Sequence, residues 1–235
     1  MNCITTEVCA SSLNSVVAAV EGGADRIELC HALPLDGLTP SHALISYCQT
    51  NLSIPVFVLI RPREGNFVYN DNETQIVMED IDYCRSLGIK GVVVGFLDSE
   101  GAVDKIKLKE AVKRAGTMEV TFHRAFDVCA DWERALEDII ECGCRRILTS
   151  GQEADSYQGR ERLKQIVAEA GERIKILAGG GINPENVREI LDYTKVKEVH
   201  FSAKSPVSDS GDEARFETSP EIVRRIVSIV NNLTI

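Results

Sequence analysis

Two short strings carry the same chemistry twice. Glu7-Val8-Cys9 and Glu28-Leu29-Cys30 each set a carboxylate and a thiol two residues apart at the end of an apolar run. Extended backbone puts residues i and i+2 on one face, so each string presents both groups on the same side. Soft thiolates suit Cu(I) or zinc, and a bare pair fits Cu(I) better than a tetrahedral zinc site. A blander reading competes with this one. Free cysteine is among the most buried residue types, so Cys9 and Cys30 can be small core residues. Glu7 or Glu28 can equally pair with Arg26 or Arg61 in a structural network.

A second group of residues points to anions. Ile60-Arg61-Pro62-Arg63 puts two guanidinium groups on one parity after an apolar run. Ala178-Gly179-Gly180-Gly181 opens into a helix-like segment, where glycines let backbone N–H groups approach an anion and the helix start favours it. Ser202-Ala203-Lys204 adds a hydroxyl and a cation. The set Arg61, Arg63, Gly179, Gly180, Gly181 and Ser202 is therefore an expected anion site, although the glycines also suit a plain tight turn. Thr121-Phe122-His123-Arg124-Ala125-Phe126-Asp127 supplies a histidine on the face of Thr121. In an enzyme His123 would act as general acid or base, Glu7 or Glu28 would orient it, and Asp127 would join the acid–base set. Arg124 lies on the opposite parity and reads as structural. His31, next to Cys30, is a possible addition to the site, and His42 is not. Cys142-Gly143-Cys144 looks like a chelating pair, but it falls between a helix and the next strand, away from the other groups.

These residues need a scaffold that brings distant strand ends together. Eight brief apolar runs read as strands: Ile4–Cys9, Arg26–Cys30, Val56–Arg61, Gly91–Phe96, Glu119–His123, Arg146–Ser150, Ile174–Ala178 and Glu198–Ser202. Amphipathic stretches such as Ser12–Glu21, Asp71–Leu87, Lys105–Ala115, Trp132–Cys142, Arg160–Ala170 and Pro184–Asp192 separate them, and Glu221–Val230 closes the series. Glycine follows several of these stretches at a helix C-cap position. Eight βα units predict an α/β fold, a single (β/α)8 TIM barrel over residues 1–235, whose working face lies at the C-terminal strand ends. A doubly wound sheet is the alternative, and it lacks an early strand–GxGxxG–helix unit.

Composition sets outer limits. Hydrophobic residues make up 44% and charged residues 26%, and the formal net charge is −10. That balance argues against nucleic acid and anionic membrane as partners. The apolar runs are too short to span a bilayer. Eight cysteines in a chain able to build a full core, with no secretory pattern ahead of the first strand, predict a cytoplasmic protein with reduced thiols.

Several strings together resemble the copper homeostasis protein CutC family: Glu7-Val8-Cys9, Gly22 to Cys30, Gly37-Leu38-Thr39-Pro40-Ser41, Ile60 to Arg63, Val120 to Asp127, Leu148-Thr149-Ser150-Gly151 and Gly179-Gly180-Gly181-Ile182. The resemblance runs to about Ala203. It implies a cytosolic (β/α)8 barrel, a homo-oligomer (dimer or tetramer), and a link to copper. It also implies Cu(I) as ligand of Cys9 and Cys30. Where the family usually reads Gly-Gly-Asp-Phe, this chain has Glu64-Gly65-Asn66-Phe67, so the carboxylate is missing at Asn66. The segment Lys204–Ser219 looks shorter than in the family. Two classes of function stay open at this point. One is a copper-binding homeostasis protein. The other is a barrel enzyme acting on a small phosphorylated or otherwise anionic substrate.

Overall fold

The structure is a computed structural model and describes residues 4–207 and 215–233. Eight parallel strands close in sequence order: β1 (Thr5–Ala10), β2 (Arg26–Leu29), β3 (Val56–Leu59), β4 (Gly91–Val94), β5 (Glu119–Phe122), β6 (Arg146–Thr149), β7 (Lys175–Gly179) and β8 (Glu198–Phe201). Closure comes from β1 pairing with β8, with Glu7 opposite His200. The helices are α1 (Leu13–Glu21), α2 (His42–Asn51), α3 (Asp71–Ser86), α4 (Lys105–Ala115), α5 (Trp132–Cys142), α6 (Arg160–Ala170), α7 (Val187–Thr194) and α8 (Pro220–Asn231). The expected (β/α)8 barrel is therefore present, and the doubly wound sheet is excluded.

Helix starts follow capping chemistry. Ser12, Ser41, Asp104, Asp131 and Ser219 each accept a backbone N–H with their side chains. Asn70 and Glu73 form a reciprocal capping box at α3. The seventh helix begins at Val187 rather than Pro184, because Asn183 folds the chain into a turn first. Its Oδ1 accepts from the amides of Glu185 and Asn186. Two further strands, β9 (Lys204–Val207) and β10 (Arg215–Thr218), pair antiparallel beyond β8. They escaped the sequence reading because they are four residues each, charged, and interrupted by Pro206.

Two apolar cores follow from strand alternation. The larger lies between sheet and helices and includes Val8, Ile27, Val58, Val92, Phe122 and Ile147. The smaller fills the barrel interior with Cys9, Cys30, Phe57, Leu59 and Val93. At the N-terminal end of the barrel the inward residues are ionic. Arg26 bonds Glu7 at 2.5 Å and Glu198 at 2.6 Å, and Arg146 bonds Glu198 at 2.9 Å. Both guanidinium groups also face the Phe57 ring, 4.9 and 5.0 Å from its centroid. Gly91 makes room for that ring, since a Cβ there would sit 2.5 Å from it. This paired floor supports the layer above it, where the reactive groups collect.

Candidate functional site

A cavity of about 550 Å³ opens at the C-terminal ends of the strands. Cys9, Glu28 and His200 lie on its wall, as do Arg61, His123, Arg124 and the Gly180-Gly181 turn. The strand ends predict Glu7, Glu28, Arg61 and His123 at the C-terminal mouth. Glu28, Arg61 and His123 line the cavity, whereas Glu7 is buried beneath it, because it precedes Cys9 by two residues on β1.

The thiols come first. Cys9 and Cys30 sit diagonally across the β1–β2 ladder, and their sulfurs are 3.3 Å apart. Cys9, Glu28 and His200 each offer a donor atom, and these three atoms lie within 4.8 Å of one another. The hydrogen bond to Cys30, burial, and the nearby Glu28 charge hold the Cys9 thiol well above its ordinary pKa. Glu28 is raised by burial and by the charge of Glu7, against the pull of His200. Burial opposes a charge on His200, but Glu28 and the bond to Glu7 outweigh it and raise its pKa.

Glu7 sits one layer below. Burial would raise its pKa, yet Arg26 and His200 together bring it down to about 2. Its Oε1 meets His200 Nδ1 at 2.7 Å. A carboxylate behind an imidazole fixes the ring and leaves the other nitrogen turned toward the site, the usual arrangement behind a metal-bound histidine. His200 Nε2 does face Glu28, at 3.7 Å. Sequence reasoning did not single out His200. Its parity with Glu198 and Ser202 on the last strand was the available signal.

The histidine of β5 behaves differently. His123 Nδ1 accepts the Ala125 N–H at 3.1 Å, so the neutral ring carries its hydrogen on Nε2. Burial and the positive charge of Arg61 push its pKa down to about 3. Glu7 and Glu28 make no hydrogen bond to it among the described residues, so the expected orienting role is corrected: Glu7 orients His200 instead. Gly95 lets the imidazole lie against β4, since a Cβ there would come within 2.3 Å of the ring. Gly95→Ala is expected to cost about 1–3 kcal/mol in a urea melt and to displace the His123 ring. A variant melting like the parent would show that the ring has room to move.

His123 also has a pH consequence. An unfolded histidine binds a proton below about 6.5, and the folded one resists it until near 3. The unfolded state therefore takes up more protons across that window, and stability falls as pH falls through it. His200 acts in the opposite sense, stabilising at low pH and losing that contribution as pH rises through its raised folded value. The two are separable by mutation. The stability of wild type relative to His123→Phe is expected to drop by about 1.4 kcal/mol per unit between pH 6.5 and the onset of acid unfolding. A constant difference across that window would show that His123 titrates normally.

The expected anion residues divide. Arg61 is buried at the mouth, but its Nη1 donates to Leu35 O and Gly37 O, and its Nη2 donates to Gly65 O. The bidentate fork is therefore occupied by the chain itself, and only Nε remains unpartnered. Arg63 turns away from the mouth to Glu73 at 2.6 Å and to the Asn66 and Val68 carbonyls, because the chain leaves the strand at Pro62 and parity no longer holds. Gly179 belongs to β7 and packs under Leu148 and His200, while Gly180 and Gly181 form the turn. Ser202 lines the cavity.

Arg124, read as structural, is a half-exposed cation on the cavity wall, which also carries the exposed Lys204. A 3-10 turn over Arg124–Val128 begins right after His123 and redirects it. It donates to Asp127 at 2.7 Å and to Ser150 Oγ at 2.9 Å, and its side chain is 41% exposed. Asp127 also accepts from the Ser150 and Gln152 amides and from the Thr149 hydroxyl, so it braces the end of β6. His31 is exposed and pairs through its backbone with Leu38. His42 stacks on Tyr83 at the start of α2 and does not line the cavity. Cys142 and Cys144 are buried at the end of α5, outside the mouth.

These features define a TIM-barrel protein with a polar mouth and a paired-thiol corner. The sequence profile of the CutC family matches residues 4–205. A protein of Glaesserella parasuis serovar 5 named as a CutC family protein is 45% identical over 218 residues, covering 92% of this chain and 90% of its own. Another from Bacteroides thetaiotaomicron is 46% identical over 202 residues, 86% of this chain and 81% of its own. The chain belongs to the CutC family. A crystal structure from Streptococcus agalactiae, described as a candidate copper homeostasis protein CutC, superposes with a TM-score of 0.81 at 33% identity, covering 85% of this chain and 98% of that one. Phosphoribosylanthranilate isomerase of Thermotoga maritima shares the fold at a TM-score of 0.61, with 17% identity and coverage of 98% and 100%. Among the described residues no helix is long and apolar enough to cross a membrane.

Proposed function

We propose that this chain binds Cu(I) at the barrel mouth and serves copper handling in the cytoplasm. The observation that carries the reading is the 3.3 Å approach of the Cys9 and Cys30 sulfurs beside Glu28 and His200. Two thiols and an imidazole are a soft donor set, which selects Cu(I) over hard cations. An ion held by both sulfurs would replace the thiol contact between them. Cys9 and Cys30 would hold the ion, with His200 as a nitrogen donor close to Cys9. Glu7 keeps the His200 ring in place. Glu28 lies ready to accept a thiol proton or to ligate.

The test is an anaerobic titration of reduced protein with Cu(I) against a chromophoric chelator, followed by X-ray absorption of the loaded sample. One equivalent bound with two sulfur neighbours is expected. A loaded ion with only nitrogen and oxygen neighbours would overturn the assignment.

A further inference from the structure

The cavity has a second half that the thiols do not use. His123 and Arg61 are both buried, at 5% and 4% exposure, and each has one polar atom without a partner. On His123 the atom is Nε2, which carries the ring hydrogen because Nδ1 accepts from Ala125. On Arg61 it is Nε, the donor left over after Nη1 and Nη2 satisfy three carbonyls. Native folds rarely leave such donors unpaired. Both residues line the same cavity and flank one aromatic ring. Phe67 lies 4.8 Å from the His123 ring and 5.2 Å from the Arg61 guanidinium carbon.

Arg124 borders the same space. Its Nε and Nη2 are anchored by Asp127 and Ser150, so the group is fixed in direction while it stays open to solvent. Gly180 lies against it, and a Cβ there would come within 3.5 Å of the guanidinium carbon. Three carboxylates share the cavity wall, and Asp36 is exposed at its edge. Asp127 is surrounded by donors, and Glu28 faces His200 on the thiol side. Phe67, Leu148 and Ile182 supply apolar wall. A cavity of about 550 Å³ suits a small metabolite and excludes a polymer.

We propose that this half of the mouth binds a small molecule bearing an oxyanion, a carboxylate or a phosphate, whose oxygens accept from His123 Nε2–H, Arg61 Nε–H and the Arg124 guanidinium. All three groups are donors, two of them carry charge, and charge-assisted bonds favour an acceptor-rich anion over a neutral ligand. The neutral imidazole adds a donor without adding charge. The site shares its cavity with the copper reading but uses different atoms, so either can fail alone.

The experiment titrates metal-free, reduced full-length protein with inorganic phosphate and, separately, with malonate. Calorimetry follows binding, and the 15N signals of the histidine rings report where it occurs. Saturable binding with a shift of the His123 Nε2–H signal is expected. Arg124→Ala should weaken it about ten- to hundredfold, the loss of a charged hydrogen bond, and Arg124→Lys should recover part of the loss. His123→Phe should weaken it as well, while Cys9→Ser with Cys30→Ser should leave it unchanged. The preferred anion shows whether the group recognised is a phosphate or a carboxylate. Absence of binding by both anions at millimolar concentration overturns the proposal. So does binding that leaves the His123 signal in place or is indifferent to Arg124→Ala, which would be an adventitious ion only.

Discussion

Replacing Cys9 and Cys30 together by serine is expected to remove the tightest Cu(I) equivalent of the protein. Serine keeps the size of cysteine but offers a hard oxygen in place of a soft sulfur, a poor exchange for Cu(I). Removing a group that merely supports a ligand typically costs roughly 10–100-fold in metal affinity, and losing both thiolates should exceed that. Cys48→Ser is a suitable control, since that thiol is buried in the core between sheet and helices. The competition titration should also depend on pH in a defined sense. The Cys9 thiol holds its proton well above the ordinary value, so loading an ion displaces protons and affinity rises with pH. Unchanged affinity in the double variant would move copper to another part of the molecule.

The largest loss of stability is expected from Glu198→Ala. Its carboxylate is 2% exposed and accepts from both Arg26 and Arg146, themselves buried at the barrel floor. Removing one member of a buried ionic network leaves uncompensated charge and typically costs about 3–5 kcal/mol. Against a total stability of about 5–15 kcal/mol for a protein, that is a large share. Glu119→Ala is the internal contrast. Glu119 also bonds Arg146, at 2.8 Å, but its side chain is 43% exposed, so solvent screens the pair and the expected cost stays under about 1 kcal/mol. Urea midpoints of the two variants measured side by side give the comparison. Equal midpoints would mean that water reaches the floor of the barrel.

The floor also bears on the mouth. Glu7 belongs to both, since it bonds Arg26 below and His200 above. A disturbance at Glu198 should therefore reach His200 through two shared hydrogen-bonded groups. The Cu(I) affinity of Glu198→Ala, measured where the variant is still folded, is a direct readout of that connection.

Much of this protein was legible along the chain. The eight short apolar runs and the amphipathic segments between them report backbone periods, which are local, and they specified the closed parallel barrel. Glu-x-Cys on neighbouring strands put both thiols on the inward face, because alternation holds wherever the chain stays extended. Other features were settled by tertiary structure alone. The bond between Glu7 and His200 joins residues 193 apart in sequence and exists because β8 closes on β1. Arg63 turned away from the mouth and Arg124 came to border it, against the parity expected of each. Both lie just past the end of a strand, where a bend after Pro62 and a 3-10 turn after His123 cancel the period of two that parity counting relies on. Whether the Arg61 fork was free for a ligand depended on three carbonyls from loops that fold over it. Periodicity says which way a side chain leaves its own strand; which groups it meets there is decided by register, closure and the path of the loops.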